Sequence, residues 1–297
     1  MPLGLSFGNC LGLGGHLSQD LMANTRYWDP SDIDTLAWYD ASDDQSNQVG
    51  ATGLVSQWND LSGNGFHLTT GQGFEPDRST QTRNSLPVND FNGGPFMSVA
   101  NFNPGNGDVG IYFVANVTAT NSINDSILSL VQANLQFNAN NNAGFNGVLV
   151  KNTGNDRIVT GGANPINGYA VYSLVIDQAN AQIQVYLNGT QLGQTRADNS
   201  PGLVVSQLNM GANTTLANPM TGQIAEVVFE DSVEINKRQT IEGYLAHKWG
   251  LEGQLPDDHP FNLDPPGIVE IAQTQYLSDE TGNIMYDNGG NPIVVQG

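Results

Sequence analysis

The longest apolar run, Val109-Gly110-Ile111-Tyr112-Phe113-Val114-Ala115-Asn116-Val117, is hydrophobic at odd and even positions alike. That predicts a strand buried on both faces, near the centre of a sandwich. Residues 172–177 and 181–187 read as the next strands, with Ile183, Val185 and Leu187 at period two. Asn188-Gly189 follows at once, and this pair favours a type I′ hairpin because both turn positions need positive φ. Further strands are expected over 207–211 and 222–230. The pattern breaks where Ile241, Tyr244, Leu245, Lys248 and Trp249 recur at spacings of three and four. This predicts a helix starting near Asn236, with Gln239 completing a capping box and Gly250 as the C-cap. Lys248 falls near the negative end of that helix, where a cation is favourable.

The two ends of the chain differ from this middle. Leu3, Leu5, Phe7, Leu11 and Leu13 are spaced by glycines, too many for a stable helix. They read as an apolar arm ordered by a neighbouring surface. No positive charge precedes this stretch and glycines interrupt it, so it does not read as a secretory signal. After Pro265-Pro266, the passage from Tyr276 to Ile284 is echoed by that from Tyr286 to Ile293. Such a tandem hairpin needs a partner sheet. Three segments are expected: an extended arm over 1–27, a β domain over 28–262, and a linker with a hairpin tail over 263–297. Leu3, Leu5, Phe7, Leu11, Leu13, Tyr276, Ile284, Tyr286 and Ile293 are the candidate assembly contacts, with added strands as one mode of recognition.

Two distant passages carry a family resemblance. One is Leu36-Ala37-Trp38-Tyr39-Asp40-Ala41-Ser42-Asp43 with Val55-Ser56-Gln57-Trp58-Asn59-Asp60-Leu61-Ser62-Gly63-Asn64-Gly65. The other is Ile241-Glu242-Gly243-Tyr244-Leu245-Ala246-His247-Lys248-Trp249-Gly250-Leu251 with Leu255-Pro256-Asp257-Asp258-His259-Pro260. Together they resemble the two ends of a laminin-G-like, concanavalin-A-like jelly-roll domain of the phage virion or bacterial surface type. The resemblance implies an all-β fold: a two-sheet antiparallel jelly-roll sandwich with one C-terminal closing helix and extended N- and C-terminal tails. It also implies a binding scaffold, and it supplies no catalytic residues.

Charge narrows the partners. Nine basic against 29 acidic residues give a net charge of −20, a surface that repels phosphate backbones and argues against nucleic acid. Divalent cations are compatible with it. No run approaches the ~20 apolar residues that span a bilayer, so no membrane insertion is expected. The lone Cys10 rules out an intramolecular disulfide.

The densest oxygen cluster is Asp40, Asp43 and Asp44 with Asn59 and Asp60. These are the candidate binding residues, with Asp40, Asp43 and Asp60 the candidate calcium ligands because hard oxygen donors from loops suit that ion. Asx turns are the competing role for the same carboxylates. Trp38, Trp58 and Tyr39 offer aromatic faces for a sugar, yet residues of this size in a sandwich more commonly form core. The Asn-rich stretch 134–147 reads as a variable loop suited to hydroxyl-rich ligands. Glu226 and Glu230 share a strand face, but Val228 stands where jelly-roll glucanases carry an Asp between their two carboxylates. His16, His67, His247 and His259 lack zinc spacing, and His259 is expected to fix the chain exit after the helix.

These features point to a non-enzymatic phage virion protein: a decoration, head-fibre or tail-fibre component on the virion surface. Its lectin-like domain would face host glycans, and its tails would grip other virion proteins or sister subunits in a larger assembly. The alternative is a carbohydrate-binding adhesin of a bacterial cell surface, and a glycoside hydrolase stands behind both.

Overall fold

Two antiparallel sheets face each other, and one helix covers the outer side of one of them. The computed structural model describes residues 27–105, 107–119, 126–131, 135–142, 145–152, 155–159, 168–193, 195–197, 205–217, 219–267, 275–276, 285–286 and 294–295. In chain order the strands begin with β1 (Ala37–Asp40), β2 (Asn47–Val49), β3 (Val55–Trp58) and β4 (Leu68–Thr69). Then come β5 (Thr82–Arg83), β6 (Leu86–Pro87), β7 (Asn89–Asp90), β8 (Met97–Ala100) and β9 (Val109–Ala119). The middle of the chain forms β10 (Ser126–Val131), β11 (Leu135–Asn142), β12 (Phe145–Asn152), β13 (Asn155–Val159) and β14 (Tyr169–Asp177). The rest are β15 (Gln182–Leu187), β16 (Thr190–Gln191), β17 (Arg196–Ala197), β18 (Gln207–Met210), β19 (Thr221–Glu230), β20 (Gln275–Tyr276) and β21 (Val294–Val295). The helix α1 spans Ile235–Lys248.

The helix-side sheet runs in the order β1-β19-β9-β14-β15-β16, with β7 and β17 attached at its margins. The open sheet runs β13-β12-β11-β10-β18-β8-β4-β3-β2. Residues 28–266 form one compact unit, and 1–27 with 267–297 form a second. The antiparallel sandwich with its closing helix is the architecture expected from the sequence. One stretch differs: the described residues within 134–147 are not loop but strand, β11 pairing with β12 from Gln136↔Lys151 to Asn142↔Phe145. Asparagine is poor in strands, and the sheet context overrides that propensity here.

Side-chain alternation sorts the helix-side sheet into two cores. Ile111, Phe113, Tyr172, Leu174, Ile183, Val185 and Phe229 point between the sheets. Tyr112, Val114, Val171 and Val228 point the other way, against Ile241, Leu245, Ala246 and Trp249 of the helix end. A break in register between Ile224 and Glu226 in the β19–β9 pairing lets Ile224 enter the inter-sheet core while Glu226 turns to the helix. Such a bulge re-aims side chains without interrupting the strand.

Local details depart from the expected caps. Glu234 is the N-cap of α1 and makes no side-chain capping bond, so the expected capping box is absent. Trp249 is the C-cap, and Gly250 follows in the left-handed region at φ 63°. Gly243 lies mid-helix, where glycine is unfavourable; a Cβ there would stand 2.5 Å from Phe261 Cβ, so the returning chain needs the gap. The Asn188-Gly189 turn has φ of 47° and 79°, as a type I′ turn requires.

In the terminal unit, Tyr27 bridges Gly267, and Tyr276 pairs with Val294. Tyr286 is exposed. Leu3, Leu5, Phe7, Leu11, Leu13, Ile284 and Ile293 lie outside the described residues.

Candidate functional site

The oxygen cluster singled out in the sequence is committed to the protein's own donors. Asp60 accepts from the backbone N–H groups of Trp38, Ser62 and Phe66 at 2.9–3.1 Å, and from Ser62 Oγ at 2.9 Å. Asp43 caps the amides of Gln45 and Ser46. Asn59 bonds to Gln57 and to the Gln45 carbonyl, while the exposed Asp44 pairs with Arg78. Asp40 accepts from Ser42 through Oδ1 and from Lys248 Nζ through Oδ2 at 2.5 Å. Among the described residues no group of three His, Cys, Asp or Glu side chains is placed to hold a metal. Of the calcium candidates Asp40, Asp43 and Asp60, Asp40 pairs with Lys248 and all three make Asx-type bonds to the chain itself.

Trp38, Tyr39 and Trp58 offer no sugar platform. Tyr39 and Trp58 are fully buried between the sheets, and Trp38 packs beneath α1. Glu226 and Glu230 do share a face, as read from their spacing, but that face is sealed by the helix. Glu226 accepts from Trp38 Nε1 (2.8 Å), Tyr244 OH (2.9 Å) and Trp249 Nε1 (2.8 Å). Lys248 Nζ stands 2.7 Å from its Oε2. Burial pushes the Glu226 carboxyl above its usual range, against the pull of Lys248. Nearby, the buried Glu242 accepts two bonds from Arg238 and one from Ser173 Oγ at 2.7 Å. His259 Nε2 lies 3.3 Å from Glu242, and its Nδ1 accepts from the Phe261 amide. His259 thus ties down the chain exit. Both networks join β1, β14 and β19 to α1 and present nothing to a ligand.

The accessible polar surface lies on the opposite side of the molecule. Register carries a single row across the open sheet: Gln48↔Gln57, Gln57↔Thr69, Thr69↔Ser98, Ser98↔Asn209, Asn209↔Ser129 and Ser129↔Gln136. Gln136↔Lys151 and Lys151↔Asp156 extend it to the edge. The flanking residues Trp58, Leu68, Met97, Leu208, Met210, Leu128 and Leu130 all belong to the inter-sheet core. Because side chains alternate along a strand, the row from Gln48 to Ser129 faces away from that core. Every residue in it is an amide, a hydroxyl or a charge.

The row is open at one end and roofed in the middle. Ser129 Oγ donates to Ala212 O (2.9 Å), and Asn209 Nδ2 donates to Asn213 O (3.0 Å). The 211–217 turn is held in turn by Asn213 Oδ1, which accepts from the amides of Thr215 and Ala217. Beyond that roof, Gln48 and Thr69 are exposed and Gln57 and Ser98 are half-buried. At this open end the loop after β4 brings Phe74 against Phe96, ring centroids 5.1 Å apart, with Phe74 46% exposed. Phe96 precedes core residue Met97 and belongs to neither core cluster. None of these residues was picked out from the sequence. The available signal was local: Ser98, Asn209 and Ser129 each sit between two apolar strand residues.

The sandwich thus has one face packed under a helix and a polar row on the other. Compared by sequence, the chain matches no protein-family model and no curated protein. Compared by shape, it is similar to an arabinofuranosidase complexed with arabinofuranosyl-alpha-1,2-xylobiose, with a TM-score of 0.55 at 12% identity. That match covers 71% of this chain and 62% of the other. Trypanosoma rangeli sialidase in complex with sialic acid matches at a TM-score of 0.50 and 12% identity, over 71% of this chain and 33% of the sialidase. Domain 4 of the GH43 extracellular arabinanase AbnA from Geobacillus stearothermophilus, in complex with arabinotriose, matches at 0.48 and 13%, over 67% and 92%. The chain therefore has a β-sandwich fold, and spans only part of the two enzymes. This corrects the non-enzymatic expectation. The sandwich occurs within an arabinofuranosidase and a sialidase, so its architecture is no argument against catalysis. The virion expectation draws no support from these three structures.

Proposed function

We propose that the 28–266 unit is a glycan-binding module whose ligand lies on the outer face of the open sheet. The observation that carries this is the unbroken polar row, with Gln48, Gln57, Thr69 and Ser98 accessible beside the exposed Phe74 and half-buried Phe96. Amides and hydroxyls donate and accept at once, which matches sugar hydroxyls, and a rigid sheet preorganises them. The test is binding of the whole chain to a broad glycan panel, repeated with a Gln57→Ala, Thr69→Val, Ser98→Ala triple variant. A loss of tenfold or more in affinity, at unchanged unfolding temperature, supports the reading; retained affinity overturns it.

The setting favoured for such a module is adhesion at a bacterial cell surface. A narrower setting, display on a phage particle, rests on the apolar glycine-spaced arm and on the terminal segments forming a compact unit of their own. Solution mass separates them. An oligomeric full-length chain beside a monomeric 28–266 fragment supports assembly through the termini, and two monomers leave the free-standing adhesin.

A further inference from the structure

Granting that glycan-binding reading, we infer that the ligand is a neutral glycan, bound at the open end of the row with the Phe74–Phe96 pair as its stacking platform. Recognition of a sugar carboxylate or sulfate draws on Arg or Lys, whose charge-assisted bonds are the strong ones. Every basic residue whose side chain the structure describes is already committed elsewhere. Arg78 bonds to Ala41 O, Ser42 O and Asp44. Arg83 holds the Trp249 and Gly250 carbonyls at the end of α1. Lys237 pairs with Glu230, Arg238 with Glu242, and Lys248 with Asp40 and Glu226. Among the described side chains the accessible stretch from Gln48 to Ser98 therefore offers no cation, and the net charge of −20 repels an anionic chain from a distance.

Shape supports the same ligand. The 211–217 turn covers the row at Asn209 and Ser129, which bounds the accessible stretch of β2, β3, β4 and β8 on one side. Neighbouring strands lie about 4.8 Å apart, so Gln57, Thr69 and Ser98 span roughly 10 Å, a short oligosaccharide contact. Phe74 and Phe96 flank that contact without any polar atom of their own, and aromatic faces pack on the apolar faces of sugar rings. Phe96 N–H donates to Phe74 O at 3.2 Å and Thr70 Oγ1 bonds to the same carbonyl at 3.2 Å, which holds the platform in place.

The experiment measures binding of the whole chain to arabinan, xylan and β-glucan as neutral probes, and to polygalacturonate and sialyllactose as anionic ones, at low and high salt. Phe74→Ala and Phe74→Trp are run in parallel; Phe74 is exposed enough for both to fold. The expected result is binding to a neutral probe that salt leaves unchanged, at least tenfold weaker in Phe74→Ala and restored in Phe74→Trp. Salt-sensitive binding to an anionic probe overturns this inference and leaves the glycan-binding reading standing. Neutral binding indifferent to Phe74→Ala overturns the platform. Binding to no probe overturns both readings.

Discussion

Lys248 Nζ lies 2.7 Å from Glu226 Oε2, which ties the last turn of α1 to the middle of β19. The carboxylate is fully buried and the ammonium nearly so, at 19% side-chain exposure. The pair holds because Asp40, Trp38, Tyr244 and Trp249 fill the remaining hydrogen-bonding positions. A buried ion pair with every position satisfied is a device for registering one element on another, while its loss leaves an uncompensated charge.

Lys248→Met is accordingly expected to cost about 3–5 kcal/mol, because Glu226 and Asp40 lose their counter-charge. Lys248→Met combined with Glu226→Gln should lose less than the sum of the single changes. Urea unfolding of the three variants checks this, and strict additivity would mean that the two residues do not interact.

Alkaline pH should unfold the protein through the same region. Burial by itself lowers the Lys248 pKa, but the charges of Glu226 and Asp40 and their hydrogen bonds raise it above 10.5. Burial likewise raises Tyr244 and Tyr172, and takes Tyr169 up to about 12. A raised folded pKa contributes stability that is fully present below the unfolded value and disappears as pH rises through the folded one. Stability should therefore hold to about pH 9.5 and fall above pH 10. Tyrosinate absorbance followed alongside unfolding checks it: the buried tyrosines should ionise only as the fold is lost.

Glu230 extends the same dependence to lower pH. Burial raises its carboxyl pKa even though Lys237 donates to it, and its Oε2 meets no donor among the described residues. Its favourable contribution is complete below the usual carboxylate range and is lost as pH rises through the raised value. Glu230→Gln should flatten the stability profile just above the usual carboxylate range and leave the protein no less stable at neutral pH. A steeper profile in the variant would contradict the assignment.

Arg238 and Glu242 are joined by two bonds of 2.8 and 2.7 Å, and the guanidinium sits 3.8 Å from the Tyr186 ring centre. Both bonds leave the single nitrogen Nη1; lysine lacks the flat stacking, and its ammonium ends one bond short of that nitrogen. Arg238→Lys should cost about 1–3 kcal/mol, the penalty for an under-satisfied buried acceptor. Thermal unfolding measures the loss, which Tyr186→Leu should reproduce only in part.

Gly189 is held at φ 79°, and a Cβ there would stand 2.9 Å from His259 Cδ2. Gly189→Ala is expected to cost about 1–2 kcal/mol from left-handed strain alone, plus the clash. Asn188→Gly, which keeps the turn but loses the bonds to Val171 N and Gln254, should cost less. Chemical denaturation of the two variants orders them.

Much of the architecture was written along the chain. The double-sided apolar run at 109–117, the period-two strand ending in Asn188-Gly189, and the three-and-four spacing from Ile241 to Trp249 each report a local periodicity. Backbone geometry converts such periodicities directly into strand, turn and helix. His259 fixing the chain exit was legible for the same reason, since its partners follow from its place after the helix. The partners of charged and polar residues were not legible. Whether Asp40 meets calcium or Lys248, whether Glu226 faces a cleft or the underside of a helix, and that Gln57, Thr69, Ser98 and Asn209 line up in one row are settled by strand order and register. A one-residue bulge at Ala225 moves Ile224 into one core while Glu226 turns to the other, and nothing in the local pattern announces it. Periodicity within a segment is a property of the sequence. Which segments become neighbours, and in what register, depends on the whole chain burying its apolar surface at once, and only the tertiary structure decides that.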